Sequence, residues 1–224
     1  MPGPAPLRSP AVGNVCSTPP LEEGTAWAPT LFSAAAPALD AGFLTLARRE
    51  LGDGAWLDHA PGWVSGAAEL FDRLVSSLAW SGRRVPMYGS MLDEPRVTAR
   101  WPGPDVDPVA GPLLESARDL LSRHYGVELT GPGANLYRDG RDSVAWHGDR
   151  VARERATALV AIVSLGEARP FRLRPVGGGA SVGFALGHGD LLVMGGTCQR
   201  TWQHAVPKVR RAGPRLSLTF RHGC

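Results

Sequence analysis

The chain is short of cysteine, of long apolar runs and of charge of one sign. Its three cysteines, Cys16, Cys198 and Cys224, are odd in number and widely spaced. That argues against a disulfide framework and a zinc-finger spacing, and it fits a reducing interior better than secretion. The longest apolar run, Ala156 to Leu165, is too short to span a bilayer. The N-terminus, Met1-Pro-Gly-Pro-Ala-Pro6, lacks a basic stretch followed by an apolar core, so it does not read as a signal peptide. A cytoplasmic protein is expected. The net charge of +3 and pI near 9.0 are too mild to argue for a polyanionic partner by themselves. The distribution says more, because Arg200, Lys208, Arg210, Arg211, Arg215 and Arg221 crowd the last quarter. Such a cluster suits an anionic partner or a solvated basic face.

What remains is an ordinary globular composition, 43% hydrophobic and 20% charged over 224 residues. Residues 1–40 are rich in Pro, Ala, Gly and Ser, and are expected to form a disordered or loosely attached tail. Residues 41–224 are expected to form one domain. Phe43 to Ala47 and Ala55 to His59 read as short strands. Ser65 reads as the N-cap of a helix reaching about Trp80, with an apolar stripe of Leu70, Phe71, Leu74, Val75 and Leu78. Residues 81–110 read as irregular. A second helix is expected from Gly111-Pro112 to Gly126. Strand signals then follow at 135–137, 144–149, 158–165, 171–175, 181–186, 191–194, 199–205 and 215–221. Two helices leading into a strand-rich half give an α+β class, a sandwich or barrel with helices on one face.

Within that half, His147 and Asp149 are two residues apart on a strand, so they share a face with Cα atoms roughly 6.5–7 Å apart. His204, in Thr201-Trp-Gln-His-Ala-Val-Pro207, is the best third partner. Two imidazoles and a carboxylate are the ligand set of non-haem iron(II) oxygenases, with positions left open for chemistry. The set does not by itself distinguish iron from zinc or manganese. A strand histidine is also often a plain hydrogen-bonded structural residue.

The last strand alternates in the same way. Arg215, Ser217, Thr219 and Arg221 lie on one face and should line a cavity; Leu216, Leu218 and Phe220 lie on the other and should enter the core. A guanidinium matches a carboxylate with two parallel hydrogen bonds. The two arginines stand ~20 Å apart along the strand, too far to grip one small molecule as a pair. Arg215 is therefore expected on the far carboxylate of a dicarboxylate cosubstrate. Arg221 is expected at the metal-proximal carboxylate or bracing Asp149. A strand at a barrel edge with solvated arginines is the alternative.

The run Asn135-Leu-Tyr-Arg-Asp-Gly-Arg-Asp-Ser-Val-Ala-Trp-His-Gly-Asp149 resembles the AlkB family of iron(II)- and 2-oxoglutarate-dependent dioxygenases. So do Val163-Ser-Leu-Gly166, His188-Gly-Asp-Leu-Leu-Val-Met194, Trp202-Gln-His-Ala-Val-Pro-Lys208 and Gly213-Pro-Arg-Leu-Ser-Leu-Thr-Phe-Arg221. The resemblance covers roughly residues 85–222, and 42–84 more weakly. It implies a double-stranded β-helix (jelly-roll) core with the N-terminal helices packed on one face. It implies Fe(II) held by His147, Asp149 and His204, and 2-oxoglutarate held by Asn135, Tyr137, Arg215 and Arg221, with Ser217 beside it and O2 as the oxidant. Three departures stand out. Ser217 replaces an Asn common in the family, and Arg150 follows the metal Asp where acidic residues are common. The loop from Pro86 to Pro104 lacks the paired tyrosines of some repair members.

The implied chemistry is oxidative demethylation of N-alkylated bases of the 1-methyladenine and 3-methylcytosine type, with formaldehyde and succinate as products. The implied partner is alkylated DNA or RNA, single-stranded or with the base extruded, since a stacked base is out of reach. No membrane partner is implied, and a monomer is expected. Tyr88, Arg96 and Trp101 are the candidate substrate contacts, with core packing the alternative for Tyr88 and Trp101. Arg96, Arg100, Arg138 and Arg141 are candidates for phosphate contacts. A 2-oxoglutarate-dependent hydroxylase of a small metabolite or a protein side chain is the competing enzyme reading, and a non-catalytic binding module with the same fold is the competing non-enzyme reading.

Overall fold

A computed structural model describes residues 35–87, 90–149 and 155–223. The chain enters through β1 (Ala38–Leu39), β2 (Ala47–Gly52), β3 (Ala55–Ala60) and β4 (Val64–Ser65), followed by helix α1 (Ala67–Ser77). A hairpin of β5 (Ser81–Met87) and β6 (Ser90–Arg100) leads to helix α2 (Ala110–Tyr125). The C-terminal half holds β7 (Gly133–Tyr137), β8 (Val144–His147), β9 (Val160–Gly166), β10 (Arg169–Pro175), β11 (Val182–Leu186), β12 (Asp190–Gly196), the short helix α3 (Cys198–Thr201), β13 (Trp202–Val206) and β14 (Arg215–Arg221). Among the described residues, the strands form an eight-stranded sheet, order β2-β3-β12-β9-β14-β7-β6-β5, and a four-stranded sheet, order β11-β10-β13-β8. This is the α+β jelly-roll architecture implied by the resemblance, with both long helices on the outer face of the larger sheet. No described helix is long and apolar enough to cross a membrane.

Alternation along β14 creates two interiors. Leu216, Leu218 and Phe220 are fully buried and join Leu136, Val163 and Leu165 against Leu70, Leu74, Leu114 and Leu121 of the helices. On the other face, Leu57, Val160, Ile162, Leu192 and Met194 pack toward Phe171, Leu173, Leu186 and Val206 of the smaller sheet. The polar residues of β14 lie on this second side, between the sheets. β14 is central because β7 and β9 pair with it on either edge.

Local chemistry moves several boundaries from those expected. The carboxylate of Asp40 accepts from the backbone N–H groups of Gly42 (3.1 Å) and Leu44 (2.6 Å), holding a turn in which Phe43 has φ 51°, so the strand begins at Ala47 rather than Phe43. α1 starts after Gly66, not after a capping Ser65, because the Ser65 hydroxyl bonds the Ala38 carbonyl instead. Gly66 is in the left-handed region (φ 59°), and a Cβ there would strike the backbone of Ala35 and Ala36. The helix ends at Ser77, short of Trp80. α2 starts at Ala110, where the Asp107 carboxylate caps the N–H groups of Val109 (2.9 Å) and Ala110 (2.8 Å). Arg73 of α1 bridges Glu69 and Asp107, tying the two helices together. The expected strand at 199–205 splits into α3 and β13.

The largest correction concerns residues 81–110. Most of this span, expected to be irregular, is the β5–β6 hairpin at the edge of the larger sheet. Pro86 fits because β5 is an edge strand with no outer partner to satisfy. Pro95 fits because the register slips there: Gly82 pairs with Val97 but Arg84 pairs with Asp93, leaving Glu94, Pro95 and Arg96 opposite Arg83 alone. A bulge of this kind bends its strand and re-aims the side chains that it carries.

Candidate active site and metal centre

His147 and His204 face each other directly. They are paired residues of β8 and β13, and their ring centroids are 4.2 Å apart. Asp149 follows β8, and its backbone N–H donates to Gln199 Oε1 at 2.9 Å. Gln199 belongs to α3, whose backbone runs so close that a Cβ at residue 148 would sit 2.7 Å from the Gln199 carbonyl oxygen. Glycine is thus required between the two donors by close approach. Asp149 Oδ1 receives Arg221 through both Nε and Nη2, each at 2.9 Å. Oδ2 is left facing His204 Nε2 at 3.7 Å.

The protonation states suit a divalent cation. His204 is buried beneath the Phe171 ring, and burial, reinforced by His147, drives its pKa down to about 3, so the imidazole is neutral. Burial alone would raise the Asp149 pKa, but Arg221 and then His204 outweigh it and hold the carboxylate below its ordinary range. His147 Nδ1 lies 2.8 Å from the Ala145 carbonyl oxygen. A carbonyl only accepts, so Nδ1 carries a proton, and in the neutral ring Nε2 is then the nitrogen with the lone pair, the arrangement a metal-bound histidine needs. Among the described residues, no three His, Cys, Asp or Glu side chains are focused on one point as a ready-made cage. The fit therefore rests on adjacency, protonation and the pairing of Oδ1, which together leave one oxygen and an imidazole nitrogen side by side.

A second element of the site lies deeper. Arg215 is fully buried; its Nε donates to Ser164 Oγ at 2.8 Å, and its guanidinium lies 5.4 Å from the centre of the Tyr137 ring. The Tyr137 hydroxyl is a close neighbour, yet neither Nη1 nor Nη2 closes a hydrogen bond of good geometry. Burial pulls the Arg215 pKa down and the Tyr137 pKa up, which keeps the phenol a proton donor. Two unpaired terminal nitrogens on a buried cation are costly unless an anion meets them. A carboxylate fits those two nitrogens in charge and in fork geometry.

The cavity between the sheets is lined by His147, Asp149, His204, Asn135, Tyr137, Arg96, Thr219 and Arg221, with Val144, Ile162, Phe171 and Val206 as its apolar wall. It thus gathers the three expected metal donors, three of the four residues expected around 2-oxoglutarate and one of the expected substrate contacts. Arg215 stands behind Tyr137, its partner in the β7–β14 register. Ser217 is buried between Asn135 and Ser164 in the sheet register and does not line the cavity. Trp101 is elsewhere. It extends the Val97 and Ala99 face of β6, packs against the helical core and donates its indole N–H to Glu115 at 3.1 Å. Strand alternation thus turns it away from the cavity. Tyr88 and Arg150 lie outside the described residues. Arg138 and Arg141 are paired with Asp142 and Asp139, and Arg100 is exposed. Trp146 is half-buried beneath the Arg174 guanidinium at 4.3 Å. Gln199, Ser164 and Phe171 were not expected at the site. Ser164 carried a signal, since it falls within a quoted motif, whereas Gln199 and Phe171 act only through tertiary contact.

Arg221 braces a ligand and does not need to touch the metal. Arg221→Met is expected to weaken Fe(II) or Mn(II) binding about 10–100-fold in an anaerobic titration, with the fold unchanged. Affinity within threefold of wild type would show that the Arg221–Asp149 pair is incidental.

Residues 93–221 match the sequence model of the 2OG-Fe(II) oxygenase superfamily. Alpha-ketoglutarate-dependent dioxygenase alkB homolog 3 of Bos taurus is 31% identical over 183 residues, covering 72% of this chain and 64% of that protein. DNA oxidative demethylase ALKBH2 of Arabidopsis thaliana is 35% identical over 189 residues, covering 67% of this chain and 60% of that protein. The chain thus spans less than two thirds of the length of these curated relatives. Among solved structures, a prolyl hydroxylase from Trichoplax adhaerens in complex with a hypoxia inducible factor peptide aligns with a TM-score of 0.57 at 16% identity, over 74% of this chain and 82% of that one. That likeness concerns the fold alone.

Proposed function

This chain belongs to the 2OG-Fe(II) oxygenase superfamily, within its AlkB family, and from that premise we propose that it oxidatively demethylates N-alkylated bases in nucleic acid, acting as a monomer. Iron(II), 2-oxoglutarate and O2 supply the oxidising power that hydroxylates an N-linked alkyl carbon, with succinate and CO2 as by-products and formaldehyde leaving as the base is restored. His147, Asp149 and His204 would hold the metal. Asp149 stays ionised because Arg221 neutralises it, and His204 stays neutral because it is buried. Arg215 and the Tyr137 phenol would anchor the far carboxylate of the cosubstrate, and Asn135 would meet its other end. The apolar wall of Val144, Ile162, Phe171 and Val206 excludes water from the reacting centre.

One surface observation carries the nucleic-acid part of this reading. A second groove is lined by Arg141, Arg210 and Arg211 with Asp139 and Glu167, and Lys208 is exposed on the same loop. No ion pair engages Lys208, Arg210 or Arg211 among the described residues. The groove is held from beneath by Arg169, which donates to the carbonyls of Asp139 (2.8 Å), Asp142 (2.8 Å) and Pro207 (2.9 Å). The Val209 N–H adds a bond to the Gly140 carbonyl at 2.8 Å. A rigid platform with three uncommitted cations suits a phosphate backbone. The curated relatives include proteins named as DNA oxidative demethylases, which agrees with this reading.

The test is release of formaldehyde from a methylated oligonucleotide, equimolar with succinate. Replacing Lys208, Arg210 and Arg211 together by Ala is expected to weaken oligonucleotide binding and to lower the slope of log K against log[salt] by about 2–3. Succinate formation driven by a small metabolite or a peptide, with none driven by methylated DNA or RNA, would refute the proposal.

A further inference from the structure

Arg96 reaches the cavity because the β6 bulge brings it there, but its hydrogen bonds do not point at a substrate. Its Nε donates to Asn135 Oδ1 at 3.2 Å, and its Nη2 donates to Glu94 Oε1 at 3.1 Å. Arg96 and Glu94 side chains are each only 16% exposed. An arginine Nε can only donate, so the Asn135 atom that meets it must be the oxygen. This fixes which way round the amide stands, a choice that a bare amide leaves open. The Asn135 NH2 group is then turned to the other side, where Asn135 lines the cavity with Tyr137 and Thr219. No described residue accepts a hydrogen bond from it.

We propose that Arg96 is a positioning residue for the keto-acid cosubstrate, acting through Asn135. Glu94 orients Arg96, Arg96 orients the Asn135 amide, and the amide presents two N–H donors to an oxygen of 2-oxoglutarate. Without Arg96, the amide is free to turn its carbonyl toward that anion, which replaces an attraction by a repulsion. The inference rests on the reading that this cavity binds 2-oxoglutarate, and it replaces the substrate-contact role suggested by sequence. It also accounts for the bulge: three residues opposite one deliver the Glu94–Arg96 pair to the end of β7, where regular pairing of β6 resumes only at Val97.

The experiment is a double-mutant cycle on anaerobic 2-oxoglutarate binding, read by calorimetry with Mn(II) in place of iron. Arg96→Met and Asn135→Ala are each expected to weaken binding about tenfold. The double variant is expected to match Asn135→Ala alone, because Arg96 has nothing left to orient. Glu94→Gln, a milder change that keeps the shape, is expected to weaken binding about two- to threefold, and it carries the test if Arg96→Met does not fold. In turnover, the KM for 2-oxoglutarate should rise and the KM for the oligonucleotide should not. Losses that simply multiply in the double variant would mean that Arg96 meets the anion directly, and would overturn the proposal. So would an unchanged 2-oxoglutarate affinity with a raised oligonucleotide KM, which would place Arg96 on the substrate side. If the wild-type protein itself does not bind 2-oxoglutarate, the reading of the cavity fails; if it binds and the variants match it, only the role of Arg96 fails.

Discussion

Arg215→Met is expected to raise the unfolding temperature of the cosubstrate-free protein while abolishing its response to 2-oxoglutarate. The guanidinium is fully buried and donates through Nε to Ser164, and among the described residues neither terminal nitrogen closes a hydrogen bond of good geometry. An apolar side chain of similar volume removes that uncompensated charge, and such exchanges are commonly neutral or stabilising by about 1–4 kcal/mol. The ligand side moves the other way. A bidentate, charge-assisted pair with a carboxylate contributes on the order of 3 kcal/mol, so affinity should fall at least about a hundredfold. In the wild type, saturating 2-oxoglutarate should raise the unfolding temperature by mass action, and in the variant the same concentration should not. Differential scanning calorimetry with and without the keto acid reads both effects. A variant that is less stable than wild type and still responds to 2-oxoglutarate would show that Arg215 is a structural cation with no carboxylate to meet.

His147→Ala is expected to remove iron-dependent succinate release and leave the fold intact. The ring is only half-buried, its one hydrogen bond among the described residues is to the nearby Ala145 carbonyl, and the β8–β13 pairing at this position uses backbone alone. Truncation therefore opens no core cavity. By contrast, His204 lies buried under Phe171, and its removal would mix a packing loss with the loss of a ligand. The fall in turnover should exceed the roughly 10–100-fold expected for a residue that only braces a ligand, such as Arg221. Circular dichroism checks the fold, and anaerobic metal titration checks the site. Turnover near wild type would remove His147 from the metal centre.

Strand alternation made much of this site readable. A two-residue period placed the polar face of β14 opposite its apolar face, and the two faces stand so; His147 and Asp149 do meet at one site, but β8 ends at His147, short of the strand expected over 144–149, and Asp149 reaches the site from beyond it. Arg221 bracing Asp149 was one of two roles open to it, and the 2.9 Å contacts settle that part. The misses share a cause. Pro86 and Pro95 hid a hairpin, because proline argues against a strand unless the strand is at an edge or carries a bulge, and both conditions are set by neighbours far away in sequence. Trp101 stood open between a base contact and core packing. Once β6 is known to run to Arg100, its parity sends that ring to the helices instead. Arg96 was visible as a charge near the site, but its bond to Asn135 spans 39 residues and has no local signature. Gln199 was hidden for the same reason, since nothing in its own segment announces that it will receive the Asp149 N–H.

The place of β14 between two interiors bears on how the protein meets its small ligands. The strand has paired neighbours on both edges, and six of its seven residues are buried. Backbone in such a position opens only when the whole domain does. The two guanidinium groups at its ends therefore keep their separation and bearing through every fluctuation short of global unfolding. A keto acid arriving from solvent meets one buried guanidinium, Arg215, already fixed beside Tyr137, and capture draws little from the ordering entropy that a loop-borne receptor must surrender.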